Sequence, residues 1–360
     1  MVVRMEDEPV RFLIFCSNKD LDGTILKVPA DQWVQFSKNT SVWYSSTNKW
    51  APVLKREFTD PDHCRLFIIG LYDLEYNFKP LFRFSRFQKI VSVRGMLHPG
   101  ALSQKSFKKK VYLQIWKLLR WNRKFIFHVT DEREREHVLT QFGKNTRVAI
   151  ADNFPLLLEK LEIPQKEVGT LKLVSIALIS AMKNHLKVLE ALEAVGREQW
   201  VGGSGQLAEG IVEYNIYGPV KDGKYWEECV ELIKKMPPNI KVQYHGAIEP
   251  SAIREALSRN HVFILPSKSE NFGHSIIEAL SAGRPVITSN NTPWNGLESS
   301  RAGINVDGTN IMKMAEAIGF FLNMSSETLV EWSHAAHEYA LKAVDIEKIK
   351  GQYKRMFGVG

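Results

Sequence analysis

Two carboxylates, Glu270 and Glu278, stand eight positions apart in SKSENFGHSIIEAL, residues 267–280, with Asn271, Phe272, Gly273 and His274 between them. Each carboxylate accepts two hydrogen bonds at once, which suits the vicinal hydroxyls of a sugar. The same two acids could equally be the solvated ends of an ordinary amphipathic helix. The flanking residues favour a ligand site. A buried strand at Val262–Leu265 ends at Pro266, a polar loop follows, a helix begins near Gly273, Gly283 ends it, and the next strand is Pro285–Thr288. A helix start at that place aims unbonded N–H groups and a partial positive charge beyond the strand end, where a phosphate-bearing ligand can use them. Gly273 permits close backbone approach. Eight helical steps of roughly 100° leave the two acids about 80° apart around the axis, so both can face one elongated ligand.

Positioning such a loop requires an α/β framework. The short apolar runs FLIFC, RLFIIG, KIVSVRG and KFIFHVT recur between helical patterns in the first half, as do LKLVSIA, EYNIYG, KVQYHG, HVFILP and RPVITS in the second. Strands that alternate with helices predict parallel sheets. Helices are expected over residues 183–195, 225–235, 250–259 and 273–282, and two more, 327–344 and 346–357, close the chain. The predicted organisation is a first domain over 1–165, a second over 166–335, and C-terminal helices over 336–360 that pack back on the first, with the linker inside 159–170. Two such domains facing one another would leave a cleft at the carboxyl ends of their strands, where ligands of α/β sheets bind. GGSGQLAEG, Gly202 to Gly210, has the glycine density of a dinucleotide fingerprint but the wrong spacing, and follows a helix rather than a strand. It reads as a connecting loop.

The whole 270–287 stretch resembles the signature of retaining glycosyltransferases of family 4, on the GT-B fold. Glu270 is followed by Phe272–Gly273, and Glu278 opens the run Glu278–Ala279–Leu280–Ser281–Ala282–Gly283–Arg284–Pro285–Val286–Ile287. The resemblance implies two Rossmann-like doubly wound domains facing a cleft: an acceptor-side domain, 1–165, and a donor-binding domain, 166–335. It implies transfer of a hexose, with retention and without metal or cofactor, from a UDP- or GDP-linked sugar to a glycan or lipid-linked acceptor in bacterial-type surface polysaccharide or glycolipid synthesis. It assigns the donor hexose to Glu270, sugar and diphosphate oxygens to the amides of Asn271, Phe272, Gly273, His274 and Ser275, and the ribose to Glu278. VSIALISAMKNHLKVLEAL is similar to the family's loop in which an Arg and a Lys clamp the diphosphate; Lys183 matches the Lys, while Leu178, or Ala177 in the alternative spacing, stands at the Arg. One cation would then face about two negative charges. Asn184 and His185 read as helix-start residues. Gly218, in IYGPVKDG, resembles the turn bordering the nucleotide. VSVRGMLHPGAL, with Arg94, resembles an acceptor-side Arg-Gly-Met-Leu segment, and FHVTDEREREHV a His-x-Thr-x-x-Glu segment with His128 near the donor sugar. Glu270, Lys183 and His128 form the catalytic set so implied. The family's opening Gly-Gly loop has no counterpart, since Gly23 is the only glycine before Gly70, so a shortened first domain is expected. A non-catalytic GT-B homologue that binds nucleotide sugar and a nucleotide-sugar epimerase are the alternatives.

Composition sets the outer limits. A 360-residue chain that is 44% hydrophobic and 24% charged is a globular one. Cys16, Cys64 and Cys229 show no metal-ligand spacing and suggest no disulfide framework, which fits a reducing cytoplasm. The N-terminus lacks a signal-peptide pattern and no apolar run approaches a membrane span, so a cytoplasmic protein is expected, peripheral on the inner face of the membrane at most. The net charge of +8 is uneven: from Tyr76 to Thr130 there are thirteen Lys/Arg and no Asp or Glu. Such a segment seeks an anionic surface. Within it Phe107, Val111, Ile115 and Leu118 recur at helical spacing among Lys105, Lys108, Lys109, Lys110, Lys117 and Arg120. The apolar stripe is expected to pack into the first domain, and the basic face to meet anionic headgroups rather than nucleic acid, for which no recognition motif is present.

Overall fold

The computed structural model describes every residue except 21–22, 48, 99–101, 103–105, 198–209 and 360; the glycine-rich loop after Gly202 and Lys105 therefore lie outside the described residues. The chain divides into two units, Met1–Phe154 with Ile346–Gly360, and Pro155–Asp345.

The first unit holds two sheets. Strands β1 (Phe12–Ser17), β2 (Trp33–Ser37) and β3 (Thr40–Ser45) form a small sheet of order β1-β3-β2. Strands β4 (Arg65–Ile69), β5 (Gln88–Ser92), β6 (Ile126–Val129) and β7 (Arg147–Ile150) form a parallel sheet in chain order. FLIFC is thus a strand of the small sheet, paired with β3, rather than of the parallel one. The core beside the parallel sheet is aromatic: Trp116 lies against Trp121, Phe125, Phe127 and Phe142 at ring-centroid distances of 5.3 to 6.1 Å. That cluster decides how the helix Ser106–Leu118 sits. Its buried residues are Leu113 and Trp116, and the predicted stripe Phe107, Val111, Ile115 and Leu118 is exposed instead. Both sides of this helix are apolar, and the side carrying the large indole ring is the one buried.

The second unit is built on six parallel strands, β8 (Thr170–Ile176), β9 (Ile211–Tyr217), β10 (Ile240–Tyr244), β11 (Val262–Leu265), β12 (Val286–Ser289) and β13 (Gly303–Val306). Their order is β10-β9-β8-β11-β12-β13, the doubly wound arrangement in which connections run one way from β8 and the other way from β11. Strands β11 and β12 are buried at every residue, because helices cover both faces of the sheet. Leu173 and Ile264 enter one core with Leu189 and Phe321, while Val174, Phe263 and Leu265 enter the other with Ile276 and Leu280. The helices His185–Arg197, Gly223–Ile233, Ile253–Ser258 and His274–Ser281 stand within two or three residues of their predicted positions, and the helix Ile311–Leu322 follows β13.

The domain boundaries differ from those expected. The division falls at Phe154/Pro155 rather than inside 159–170. Two buried cations hold the intervening segment to the second unit: Arg284 donates to the Leu161 and Glu162 carbonyls, and Lys166 to those of Leu322 and Met324. Burial lowers the Arg284 pKa to about 10 and that of Lys166 to about 8. The two closing helices also part company. Ser326–Ala343 packs in the second unit through Leu329, Trp332, Ala336 and Ala340. Ile346–Phe357 joins the first, where Tyr353 stacks on Phe154 and Phe357 meets Phe12 and Phe67 edge-on.

Candidate functional site

The order of the second sheet reverses between β8 and β11, and open α/β sheets bind ligands in the crevice outside the carboxyl ends of such a pair. The loops leaving those two strands are tied together. Lys268 donates its backbone N–H to the Met182 carbonyl at 2.9 Å, and the Asn184 amide donates to the carbonyls of Pro266 and Gly308 at 3.1 and 2.8 Å. Asn184 is buried with φ at 67°, a left-handed conformation that Asn tolerates better than most residues. It stands directly before the helix His185–Arg197, as expected, but its work is to fasten one loop to the other.

Across that junction Lys183 Nζ lies 2.5 Å from Glu270 Oε1, and Ser267 Oγ donates to the same oxygen at 2.8 Å. Both side chains of the ion pair are mostly shielded from solvent. The two predicted catalytic residues of this half are therefore in contact, one from each loop. Ser267, fully buried, is itself held by Ser289, whose hydroxyl donates to the Ser267 carbonyl at 2.5 Å.

Beyond Glu270 the chain turns into the helix His274–Ser281 through Gly273, whose φ of 73° and ψ of 60° favour glycine. A Cβ there would lie 3.1 Å from Ile276 Cδ1 and 3.2 Å from Trp294 Nε1. Trp294 donates its indole N–H to the Phe272 carbonyl at 2.5 Å and meets the Phe272 ring edge-on, which fixes the turn. Asn271 and His274 are exposed, and Phe272, Ser275 and Glu278 are half-buried. No side chain caps this helix start, so its leading amides are the kind that accept an anion. Burial pushes the Glu278 carboxyl up to about 7. Leu178, at the expected position of a second cation, is 42% exposed.

Gly218 follows β9 with φ at 140°, and a Cβ there would stand 1.8 Å from the Ala177 carbonyl oxygen. The close approach that demands glycine is thus between two strand ends of the protein. Asn184, Ser267, Ser289 and Trp294 were not assigned to the site from the sequence, and only the polar loop that follows Pro266 marked Ser267.

The first-unit residues have a different character. His128 is fully buried, with Nδ1 2.8 Å from Ser92 Oγ and Nε2 2.9 Å from the Ala151 carbonyl. A carbonyl only accepts, so Nε2 carries the proton and Nδ1 accepts from Ser92. Burial, aided by Arg94, lowers the His128 pKa to about 4 against the pull of the Ala151 carbonyl. Both ring nitrogens of His128, the residue expected beside the donor sugar, are thus committed to partners within the first unit. The Glu of the same segment, Glu134, is likewise consumed, accepting from the backbone N–H groups of Gly95 and Thr130 and from the Thr130 hydroxyl. Arg94 is exposed, with φ at 47°, and donates to Asn153 at 2.5 Å. Lys108 and Lys110 are exposed, while Lys109 lies over the Tyr72 ring at 5.2 Å.

Comparisons with known proteins bear on the fold and the family. A sulfoquinovosyl transferase of Arabidopsis thaliana is 32% identical over 68 residues, which is 19% of this chain and 12% of that protein. Sucrose-phosphate synthase from Thermosynechococcus elongatus superposes with a TM-score of 0.64 at 16% identity, over 96% of this chain and 88% of that one. S. aureus TarM, described in complex with fondaparinux, α-GlcNAc-glycerol and UDP, superposes with a TM-score of 0.59 at 17% identity, over 85% of this chain and 58% of that one. The E. coli trehalose-6-phosphate protein bound with UDP-2-fluoro glucose gives 0.67 at 10%, over 98% and 94%. These likenesses give the fold as GT-B, with two Rossmann-like domains. The family model for glycosyl transferases group 1 matches residues 159–339, which include Lys183, Glu270 and Glu278 and make up just over half of the chain. The chain belongs to the glycosyl transferases group 1 family.

Proposed function

We propose that the protein is a retaining hexosyltransferase that takes its sugar from a nucleoside-diphosphate donor and passes it to a glycan or lipid-linked acceptor. The observation that carries the reading is the Lys183–Glu270 pair at the strand-order reversal, followed at once by the Gly273 helix start. In the absence of donor, Lys183 neutralises Glu270. A diphosphate entering the crevice would draw the Lys183 ammonium to its oxygens and add the leading amides of the helix, so charge leaving with the nucleotide meets fixed donors. Glu270 would then be released to accept from hexose hydroxyls and to stabilise positive charge developing on the ring. Glu278, farther along the same helix, would accept from the ribose. UDP- and GDP-linked donors both remain candidates, and neither metal nor organic cofactor is needed for this scheme. The similarity to proteins described with UDP and UDP-sugars supports the donor class.

A second reading, a nucleotide-sugar-binding homologue without transfer activity, is favoured by one feature: Leu178 exposes an aliphatic side chain where a second cation would assist the leaving group. Calorimetry with UDP- and GDP-sugars followed by donor-hydrolysis assays separates the two. Binding with turnover that Glu270→Ala abolishes supports the transferase; tight binding without turnover establishes the binder; no nucleotide binding removes both.

A further inference from the structure

The helix Ser106–Leu118 is apolar on two opposite sides. With Phe107 at 0° and roughly 100° per residue, Leu118, Val111 and Ile115 follow at about 20°, 40° and 80°, while Tyr112, Trp116 and Leu113 lie at about 140°, 180° and 240°. The second group packs into the first unit. The first group faces out: Phe107 is 78% exposed, Leu118 83%, Val111 47% and Ile115 37%. Scattered exposed apolar residues need no explanation, but four aligned along one helix form a patch that does. Exposed lysines border the stripe, Lys108 at about 100° on one side, Lys110 and Lys117 at about 300° and 280° on the other.

Charge complementarity identifies what covers this face. Lys108, Lys110 and Lys117 are exposed beside the stripe and the helix carries no acidic residue, so the face calls for an acidic or polyanionic partner. A nucleic acid would meet the charge but waste the stripe: bases stack on aromatic rings, and three of the four outward residues are aliphatic. An anionic bilayer uses both features, since aliphatic side chains enter the acyl boundary while lysine stems reach back to headgroup phosphates. Among the described residues no helix is long and apolar enough to cross a membrane, so such contact would be made in the interfacial plane. We infer that the outward face of Ser106–Leu118 docks the first unit on an anionic lipid bilayer, with the helix parallel to the surface. The purpose of docking rests on the proposed lipid-linked acceptor, but docking itself needs no turnover, so the two readings fail separately.

Co-sedimentation of the full chain with phosphatidylcholine vesicles, with and without phosphatidylglycerol, tests the inference. Binding is expected on the anionic vesicles and should fall as salt is raised. Replacing Lys108, Lys110 and Lys117 with Gln removes three charges at about fivefold each, a weakening on the order of a hundredfold. Phe107→Ser with Leu118→Ser should weaken binding at low and high salt alike. Both variants alter only exposed side chains and should melt at the parent temperature, which separates lost docking from lost folding. Equal binding to both vesicle types, or a serine variant that binds as tightly as the parent, overturns the inference. So does a preference for duplex DNA or single-stranded RNA over the anionic vesicles. Retained docking with no nucleotide binding would remove the transferase reading and leave this one standing.

Discussion

The β8–β11 crevice of the second unit and the His128–Glu134 segment of the first both contain a histidine or cation, a glutamate and a helix start, yet their polar groups are used differently. In the crevice, Lys183 and Glu270 satisfy one another across two loops, a bond that on the proposed reading an entering diphosphate or hexose would exchange. In the first unit, His128 and Glu134 are consumed by the fixed partners Ser92, Ala151, Gly95 and Thr130. An exchangeable partner marks a site, and a backbone partner marks a scaffold. Motif membership does not distinguish them, whereas hydrogen-bond accounting does.

Five experiments test this contrast. The largest effect is expected at Glu270: Glu270→Gln should lower donor turnover roughly a thousandfold with little loss of stability, read by single-turnover hydrolysis. Gly218→Ala should destabilise the second unit by about 3 kcal/mol or more, because its Cβ meets a backbone carbonyl that has no room to move. Chemical denaturation would show it. His128→Ala should cost about 2 kcal/mol by leaving Ser92 and Ala151 without their buried partner, while calorimetry finds nucleotide affinity unchanged. A large fall in nucleotide affinity with an intact fold would place His128 in the site.

Glu278 links the contrast to pH. Its folded pKa is raised to about 7 from an ordinary value of 4.5, so its contribution to folding stability is present below pH 4.5 and is lost as pH rises through 7. Ligand binding has the opposite sign. Ribose hydroxyls donate to the ionised carboxylate, so nucleotide affinity should rise about tenfold between pH 6 and 8. Glu278→Gln should leave only the titration of the diphosphate itself, and an identical pH profile in the variant would exclude Glu278 from the ribose site. The smallest effect is expected at Leu178, where Leu178→Arg should tighten diphosphate binding about fivefold. No change would show that this exposed position does not face the diphosphate.

Much of the framework was legible in the chain's own pattern. Runs such as HVFILP and LKLVSIA announce strands buried on both faces, and the last helix falls on residues 346–357 as its periodicity predicts. The loop–Gly273–helix arrangement followed from residue types alone, because only glycine suits its backbone and no side chain occupies the cap. The boundary at Phe154/Pro155 was not legible: nothing in LEKLEIPQK reveals that the distant Arg284 donates to its Leu161 carbonyl, or that its own Lys166 reaches the Leu322 carbonyl far along the chain. The helix Ser106–Leu118 presented two apolar faces, and its spacing could not say which one the neighbouring rings would bury.

The alternation of strands and helices, the helix start between Glu270 and Glu278, and the one-sided charge of the first half are set by the sequence, since local periodicity and charge are properties of the chain in any conformation. Only long-range packing brings Lys183 to Glu270, joins His128 and Glu134 to partners within the first unit, and turns Phe107 and Leu118 outward. Each of those outcomes depends on which groups remain without partners once long-range packing is complete, a sum over neighbours far apart in sequence.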